Sequence, residues 1–304
     1  ARHDPEGMGG IITLVLQQNA ALGLSAGINA GVGTGGRYNG SGNVGYQSGP
    51  LTLTGSYGYS ANARDQEGFS FRTNMFRDPA TTAIDSATFF DQDIGGDQSM
   101  GGHNGQLAAE WKFDEQDAIT GSLSINRFGF ENDGVNAYSD YRCPTATTGV
   151  CAEGQRELVR EYDVLSAQEF SNTGLDAVFG YRHTVEPQRN EILGELRFNF
   201  SRDETPNTVE RTPGAGDTRP QRLQDIDAHQ DQNEYIATLD VIRPLTPTLK
   251  LETGYKGTMR RLDSEYEANL LLGTPLAPEP DSTTVNDFLY DEAVHAVYGV
   301  LSKD

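Results

Sequence analysis

The stretch Leu22-Gly23-Leu24-Ser25-Ala26-Gly27-Ile28-Asn29-Ala30-Gly31-Val32 alternates between two kinds of residue at every step. Its even-numbered positions hold leucine, alanine, isoleucine or valine, and its odd-numbered positions hold glycine, serine or asparagine. A period of two places successive side chains on opposite faces of an extended strand. The stretch therefore predicts a β-strand with one apolar face and one small or polar face.

The same alternation returns in nine further segments, which gives a total of about ten strands. They lie near residues 38–46, 51–59, 107–113, 119–125, 175–181, 192–200, 235–241, 249–259 and 294–300. The connections are of two kinds: short turns are predicted near 48–50, 114–116, 185–190 and 244–248, and long loops near 61–104, 130–168, 203–230 and 262–286. Outer-membrane barrels sort their connections in this way, because short turns face the periplasm and long loops face outside.

Charged residues occupy the middle of several predicted strands, on the side opposite the aromatic residues. Buried in a small soluble β-sandwich, each would cost several kcal/mol, whereas a wide, wet lumen accommodates them at little cost. We therefore predict an all-β, antiparallel transmembrane β-barrel with the following lumen-facing residues: Glu110, Lys112, Glu195, Arg197, Lys250 and Glu252, with Asp240 and Lys256 on the same side.

Composition narrows the classes of function. The 304 residues carry a formal net charge of -21, which argues against a nucleic-acid partner because phosphates would not be neutralised. No run of about 18 apolar residues occurs, so a transmembrane helix is not expected. Tyrosine, phenylalanine and tryptophan near the predicted strand ends are typical of the aromatic girdles at the two membrane interfaces.

Residues 1–19, ARHDPEGMGGIITLVLQQN, resemble the end of the plug domain in TonB-dependent receptors. His3, Pro5, Thr13 and Gln17 depart from that pattern, conservatively for a turn and a strand. Residues 249–256 and 288–298 are similar to barrel strands of the same family. The residues of the first segment that match are Ala1, Arg2, Asp4, Glu6, Gly7, Gly9, Gly10, Ile11, Ile12, Val15 and Leu16.

The resemblance implies a 22-strand barrel in the bacterial outer membrane, closed by an N-terminal plug and energised through the TonB–ExbB–ExbD system. Residues 1–19 would be the C-terminal end of the plug, and residues 20–304 the N-terminal part of the barrel. The chain would then be a fragment without the TonB box and most of the plug. Ten strands with two free edges would not be stable in lipid, where unpaired backbone groups are heavily penalised.

The function implied is uptake of a scarce extracellular ligand of the siderophore, cobalamin, glycan or peptide class, in contact with outer-membrane lipid. A passive porin or a barrel adhesin is the alternative, and it would have no plug. A soluble, secreted β-rich binding protein is a third hypothesis.

Two candidate structural sites follow from position in the chain. Arg2 and Glu6, at the expected junction of plug and barrel, are predicted to latch the plug through charge-assisted hydrogen bonds, although a plain solvated turn is an equal alternative. Cys143 and Cys151 lie in one predicted outer loop, where an oxidising compartment favours a disulfide between them.

Other motifs carry less weight. Residues 31–36 spell G-x-G-x-x-G, but a strand follows instead of the helix that a dinucleotide site requires, so a tight hairpin is expected. Asp91, Asp93 and Asp97 lack the glutamate of a calcium-binding EF-hand, although a looser calcium site in an outer loop stays open. The five histidines are scattered. We therefore expect no catalytic residues, no cofactor, no metal and no enzymatic activity.

Overall fold

The chain folds into antiparallel β-strands that form one continuous sheet in a computed structural model, which describes residues 23–77, 84–143, 153–187, 190–279 and 283–303. In the described part of the chain, one 3-10 turn, Glu153–Gln155, interrupts the strands. Within these ranges, no helix is long and apolar enough to cross a membrane. The strands are β1 Gly23–Gly33, β2 Arg37–Ser48, β3 Leu51–Arg77, β4 Ile84–Lys112, β5 Asp117–Cys143, β6 Glu157–Glu186, β7 Asn190–Glu204, β8 Asn207–Pro213, β9 Arg222–Thr246, β10 Leu249–Leu272, β11 Ala277–Pro278 and β12 Thr284–Lys303.

The twelve segments occupy ten rows of the sheet. β7 and β8 both pair with β6, and the register runs on from Ser171–Glu204 to Gln168–Asn207. Between them lies Pro206, which has no N–H to donate to a neighbouring strand. β11 and β12 likewise share β10 as their partner. Ten rows agree with the predicted number of strands.

The long loops predicted at 61–104, 130–168, 203–230 and 262–286 are wrong. β3 continues to Arg77 and pairs with β4 from Ile84 onwards, and β5 runs to Cys143 opposite β6. In these parts both faces of the strands carry polar residues, so hydrophobic alternation no longer marks them. The chain therefore builds tall paired hairpins where the sequence suggested irregular loops. We call these parts the outer hairpins.

The short turns were predicted correctly. Gly35 and Gly36 turn β1 into β2 with φ values of 74° and 69°, a conformation that residues with a side chain rarely adopt. Between β4 and β5 the Asp114 carboxylate accepts hydrogen bonds from the N–H groups of Gln116 and Asp117, both at 2.8 Å.

The sheet is a single layer without a dry core. Extensive contacts join only strands that are hydrogen-bonded neighbours. The buried hydrophobic residues within the described ranges are few: Ala87, Phe89, Ala118, Cys143 and Ile242. A soluble β-sandwich would cover one face of each sheet with the other, so that hypothesis does not fit this structure.

The two faces of the sheet differ in character. The apolar face carries Leu24, Phe179 and Leu239, which are 71%, 50% and 47% exposed. The polar face carries the side chains between them. Near the short turns each strand presents four or five alternating apolar-face residues, as from Leu251 to Met259 on β10. We call this zone the apolar band.

The height of the apolar band matches a membrane. Nine residues at ~3.3 Å each span ~30 Å along a strand, which a tilt of ~40° reduces to ~23 Å, close to the ~25 Å of outer-membrane barrels. The band ends where Arg127, Arg202 and Arg261 take the next apolar-face positions on β5, β7 and β10. Tyr57 and Tyr235 lie in its upper part, so the upper girdle lies within the strands rather than at their ends.

The sheet has two edge strands in the part of the chain that the structure describes. There β1 pairs only with β2, and β12 only with β10. Closure into a barrel and a total of 22 strands therefore stay predictions. The division into plug and barrel also stays a prediction, because residues 1–19 lie outside the described ranges.

Candidate functional site

An aromatic column crosses the polar face of the outer hairpins. The guanidinium carbon of Arg72 lies 5.1 Å from the centre of the Phe90 ring, and Phe90 lies 5.4 Å from Tyr138. Tyr138 stacks on Tyr162 at 4.8 Å with an interplanar angle of 13°, and the Arg219 guanidinium lies 4.6 Å beyond Tyr162. Four strands and one loop thus contribute to one line of rings that has a cation at each end.

The aromatic column stands far from the short turns. Tyr138 lies about 20 residues along β5 from its first residue, or ~65 Å at ~3.3 Å per residue. Neighbouring strands bring the rings together because Tyr138 and Tyr162 are direct cross-strand partners. Burial and the neighbouring Tyr162 raise the pKa of Tyr138, so its hydroxyl stays neutral and the Gln92 amide donates to it at 3.1 Å.

Asp217 fixes the loop end of the aromatic column. Its side chain is 1% exposed and accepts hydrogen bonds from Arg211 at 2.7 Å and from the Arg219 guanidinium at 2.8 and 2.9 Å. The hydrogen bond from Arg219 and the two nearby guanidinium charges lower the pKa of Asp217 to about 2, against a smaller opposing effect of burial. The carboxylate therefore stays ionised and holds Arg219 over Tyr162.

Charge is segregated between the two faces of the outer hairpins. Arg37, Arg64 and Arg72 lie on the polar face of β2 and β3, and among the described residues they form no ion pair. The opposite face of β3 to β6 is acidic, with Asp65, Glu67, Asp91, Asp93, Asp97, Glu131, Asp133, Asp163 and Glu169. The polar face thus offers a locally positive surface in a chain of net charge -21, which favours the approach of anions.

The residues predicted to face the lumen all lie on the polar face. Register connects them across the sheet, from Glu110 and Lys112 on β4 to Glu195 and Arg197 on β7 and Lys250 and Glu252 on β10. Three ion pairs neutralise part of the charge on these residues: Arg182–Glu110 at 3.1 Å, Arg197–Asp176 at 2.7 Å and Lys250–Glu252 at 2.8 Å. That this face lines a lumen stays a prediction.

Of the residues predicted to form the disulfide and the plug latch, the structure describes Cys143. Cys143 is disulfide-bonded and 1% exposed, and it packs with Ala87 and Phe89 at the end of β4 and β5 that lies farthest from the turn joining them. Its predicted partner Cys151, like Arg2 and Glu6, lies outside the described residues. The pairing and the latch therefore stay predictions.

Two motifs have a structural explanation. The glycines of residues 31–36 end β1 and turn into β2, as expected for a tight hairpin rather than a nucleotide site. Asp91, Asp93 and Asp97 lie along one face of β4, which corrects their predicted place in a loop. In the described ranges, no group of three or more potential ligands is arranged to hold a metal ion.

The sequence does not predict the aromatic column, because residues 61–104, 130–168 and 203–230 lack the amphipathic alternation of the other strands and are predicted to be loops. A usable signal was present. From residue 132 to 142 the even positions hold asparagine, glycine, tyrosine, aspartate and arginine, while the odd positions include Val135, Ala137 and Tyr141. That period of two predicts a strand even without strong amphipathicity.

Comparison with known proteins adds one match. Residues 183–304 match a family model described as "Outer membrane protein beta-barrel family". No curated protein and no solved structure matches the chain significantly.

Proposed function

We propose that this protein is a receptor of the bacterial outer membrane that takes up a scarce anionic ligand by TonB-dependent, plug-gated transport. The match of residues 183–304 to the outer membrane protein beta-barrel family supports the outer-membrane part of the proposal. The observation that carries the proposal is the aromatic column together with the arginines beside it. Rings and guanidinium groups on one surface suit a ligand that combines ring or sugar faces with negative charge.

The geometry supports a path from outside to inside. The aromatic column and Arg64 would make the first contact at the top of the polar face. Below them the same face presents ion pairs such as Arg197–Asp176 and hydrogen bonds such as Asn126 to Asn172 at 2.9 Å. A wet wall of paired polar groups lets an anion pass without burying it, because its counter-charges are already in place.

The TonB-dependent part of the proposal is supported by the resemblance of residues 1–19 to the end of a plug. A plug in the lumen would hold the ligand at the polar face until the TonB–ExbB–ExbD system moved it. Siderophore, glycan and peptide classes all include anionic members that fit this scheme.

The test measures accumulation of a labelled anionic ligand in cells that express the protein from its full reading frame. The probe is the radioiron complex of 2,3-dihydroxybenzoate, which is anionic and aromatic, and a protonophore removes the energy supply. We expect accumulation that the protonophore abolishes. Arg64→Gln combined with Arg72→Gln should lower it roughly tenfold, as expected when ~1.5–3 kcal/mol of charged hydrogen bonding is lost.

The control is Arg142→Gln, because Arg142 lies on the same face but is paired with Glu157 at 3.3 Å. Entry that persists without the energy supply would indicate a passive porin. Surface binding without entry would indicate an adhesin. Either result would overturn the transport proposal.

A further inference from the structure

A groove lies on the apolar face, on the side of the sheet opposite the aromatic column. It has a volume of about 510 Å³ and crosses β3, β4 and β5. Its lower wall is formed by Tyr57, Tyr59, His103 and Arg127, with Arg127 directly opposite His103 in register, and its upper wall is formed by Ser99 and Glu131. Gly101 and Gly129, which are direct cross-strand partners, leave its floor without side chains.

The groove lies at the upper edge of the apolar band. Below it on β5 the apolar-face residues are Ile119, Leu123 and Ile125, and Arg127 takes the next position. Because the band matches the thickness of hydrocarbon, the residue that ends it lies at the depth of lipid headgroups. This depth and the outward direction of the groove limit what can reach it.

The polar groups at the lower end of the groove, next to the apolar band, fit an anion, whereas the acidic residues of this face begin with Glu131 at its upper end. Arg127 is exposed and makes no hydrogen bond or ion pair with any residue that the structure describes. His103 shares a hydrogen bond of 2.6 Å with the Tyr57 hydroxyl and its ring lies 4.7 Å from that of Tyr59, which fixes the lower wall. Glu131, farther from the apolar band, is engaged by the Ser99 hydroxyl at 3.2 Å.

We propose that this groove binds the phosphorylated headgroup of an outer-leaflet lipid. The Arg127 guanidinium pairs with phosphate through two parallel hydrogen bonds, a geometry for which its planar fork is suited. The glycine floor gives the headgroup room, and one acyl chain runs down the apolar face past Gly105 and Leu107. The site is independent of ligand uptake, because it lies on the other face of the sheet.

A second outward Tyr–His pair shows why Arg127 is decisive. The Tyr255 hydroxyl and His295 share a hydrogen bond of 2.7 Å on β10 and β12, and Tyr255 lies as far from the start of its strand as Tyr57 does. The nearest arginine beyond it, Arg261, lies 4.0 Å from Asp263 and opposite Asp291. Two carboxylates therefore lie beside Arg261, whereas the residues opposite Arg127 are His103 and Thr173, which carry no carboxylate.

The test uses the whole protein, purified from outer membranes, delipidated in detergent and studied by native mass spectrometry. The probe is hexa-acylated lipid A with both phosphates, compared with the same lipid after dephosphorylation. We expect Arg127→Gln to weaken binding of the phosphorylated lipid about tenfold and to leave the dephosphorylated lipid unaffected. Arg64→Gln is the matched control, since Arg64 is an exposed, unpaired arginine on the polar face of β3.

Three outcomes would overturn the proposal. Arg127→Gln could bind the phosphorylated lipid as well as the unchanged protein does, or Arg64→Gln could lose binding equally. Millimolar inorganic phosphate could also displace the lipid completely, which would make the groove a site for free phosphate. Uptake of the labelled iron complex should be unchanged in Arg127→Gln, so failure of this proposal and failure of the transport proposal are distinguishable.

Discussion

Single residues decide how the outer end of the polar face is held together. Asp217 fastens the loop between β8 and β9 to the aromatic column through Arg211 and Arg219. Its lowered pKa means that ionisation stabilises the folded loop. A drop in the pKa of Asp217 from 3.8 to about 2 corresponds to about 2 kcal/mol of folding free energy. This stabilisation is present above pH 3.8 and is lost as the pH falls through about 2.

Asp217→Asn should therefore loosen residues 214–221. Hydrogen–deuterium exchange in this segment should rise by at least tenfold at pH 7, because about 2 kcal/mol of local stability is lost. In the unchanged protein, protection of the segment should be constant from pH 5 to 8 once intrinsic exchange is corrected. Asp263→Asn is the control, since Asp263 is half exposed and 4.0 Å from its arginine. Equal protection in both variants would contradict this role of Asp217.

Gly254 is required by a close contact on the polar face. The Tyr298 ring on β12 lies across Gly254 so that its hydroxyl donates to Asp240 on β9. A Cβ at position 254 would collide with that ring. Gly254→Ala should lower stability by ~1–3 kcal/mol, whereas Gly299→Ala, where a Cβ meets nothing within 4 Å, should have little effect.

Urea unfolding of the protein refolded in lipid vesicles measures both changes. If the loss comes from the collision, Tyr298→Ala combined with Gly254→Ala should cost no more than Tyr298→Ala alone. Additive losses would show that the glycine matters for another reason.

Whole strands carry unfavourable charge on the acidic face of the outer hairpins. Asp65, Asp97 and Asp133 are direct neighbours across β3, β4 and β5. Like charges directly opposite each other destabilise a sheet, and exposure to solvent keeps the effect small. The hairpins must therefore be held by their backbone ladders and by polar-face contacts such as those of the aromatic column.

Asp97→Asn should stabilise the β3–β4–β5 part of the outer hairpins by about 0.2–1 kcal/mol, because it removes repulsion on two sides. Hydrogen exchange of residues 60–77 and 88–100 should slow, and the gain should shrink in 1 M salt. Asp91→Asn provides the comparison, since Asp91 lies on the same face of β4 but 3.8 Å from Arg156. An equal gain from Asp91→Asn would contradict the repulsion argument.

The whole molecule depends on which solvent each face meets. A single layer with no dry core is stable only if its exposed apolar band is covered, and the outer membrane supplies hydrocarbon for it. Leu239 and Thr238 are neighbours on β9 that point to opposite faces, so they test the assignment of the faces directly.

Leu239→Arg should destabilise the membrane-inserted protein by about 2–4 kcal/mol, the cost of arginine near the middle of a bilayer. Thr238→Arg should cost far less, because water reaches the polar face. Unfolding in lipid vesicles measures the difference, and the folded fraction in outer membranes provides a second readout. A larger loss from Thr238→Arg would reverse the assignment of the faces.

Much of this architecture could be predicted from the sequence, and the limits have a physical cause. In the membrane-spanning part of the strands, the period of two predicts the strand positions and the short turns. It also predicts that Glu110, Arg197 and Lys250 lie on the polar face. The outer hairpins could not be recognised in the same way, since both of their faces meet water and no hydrophobic contrast marks them. The aromatic column was missed for that reason.

Alternation along the chain by itself determined that this protein is made of antiparallel strands with one apolar face, because side chains on a strand must point to alternate sides. Only the tertiary structure decided the register. Register brings Phe90, Tyr138 and Tyr162 into one column, places Arg127 opposite His103 beside a pair of glycines and sets Asp97 between two other aspartates. Such neighbours are far apart in sequence, and pairing across strands is what makes them meet.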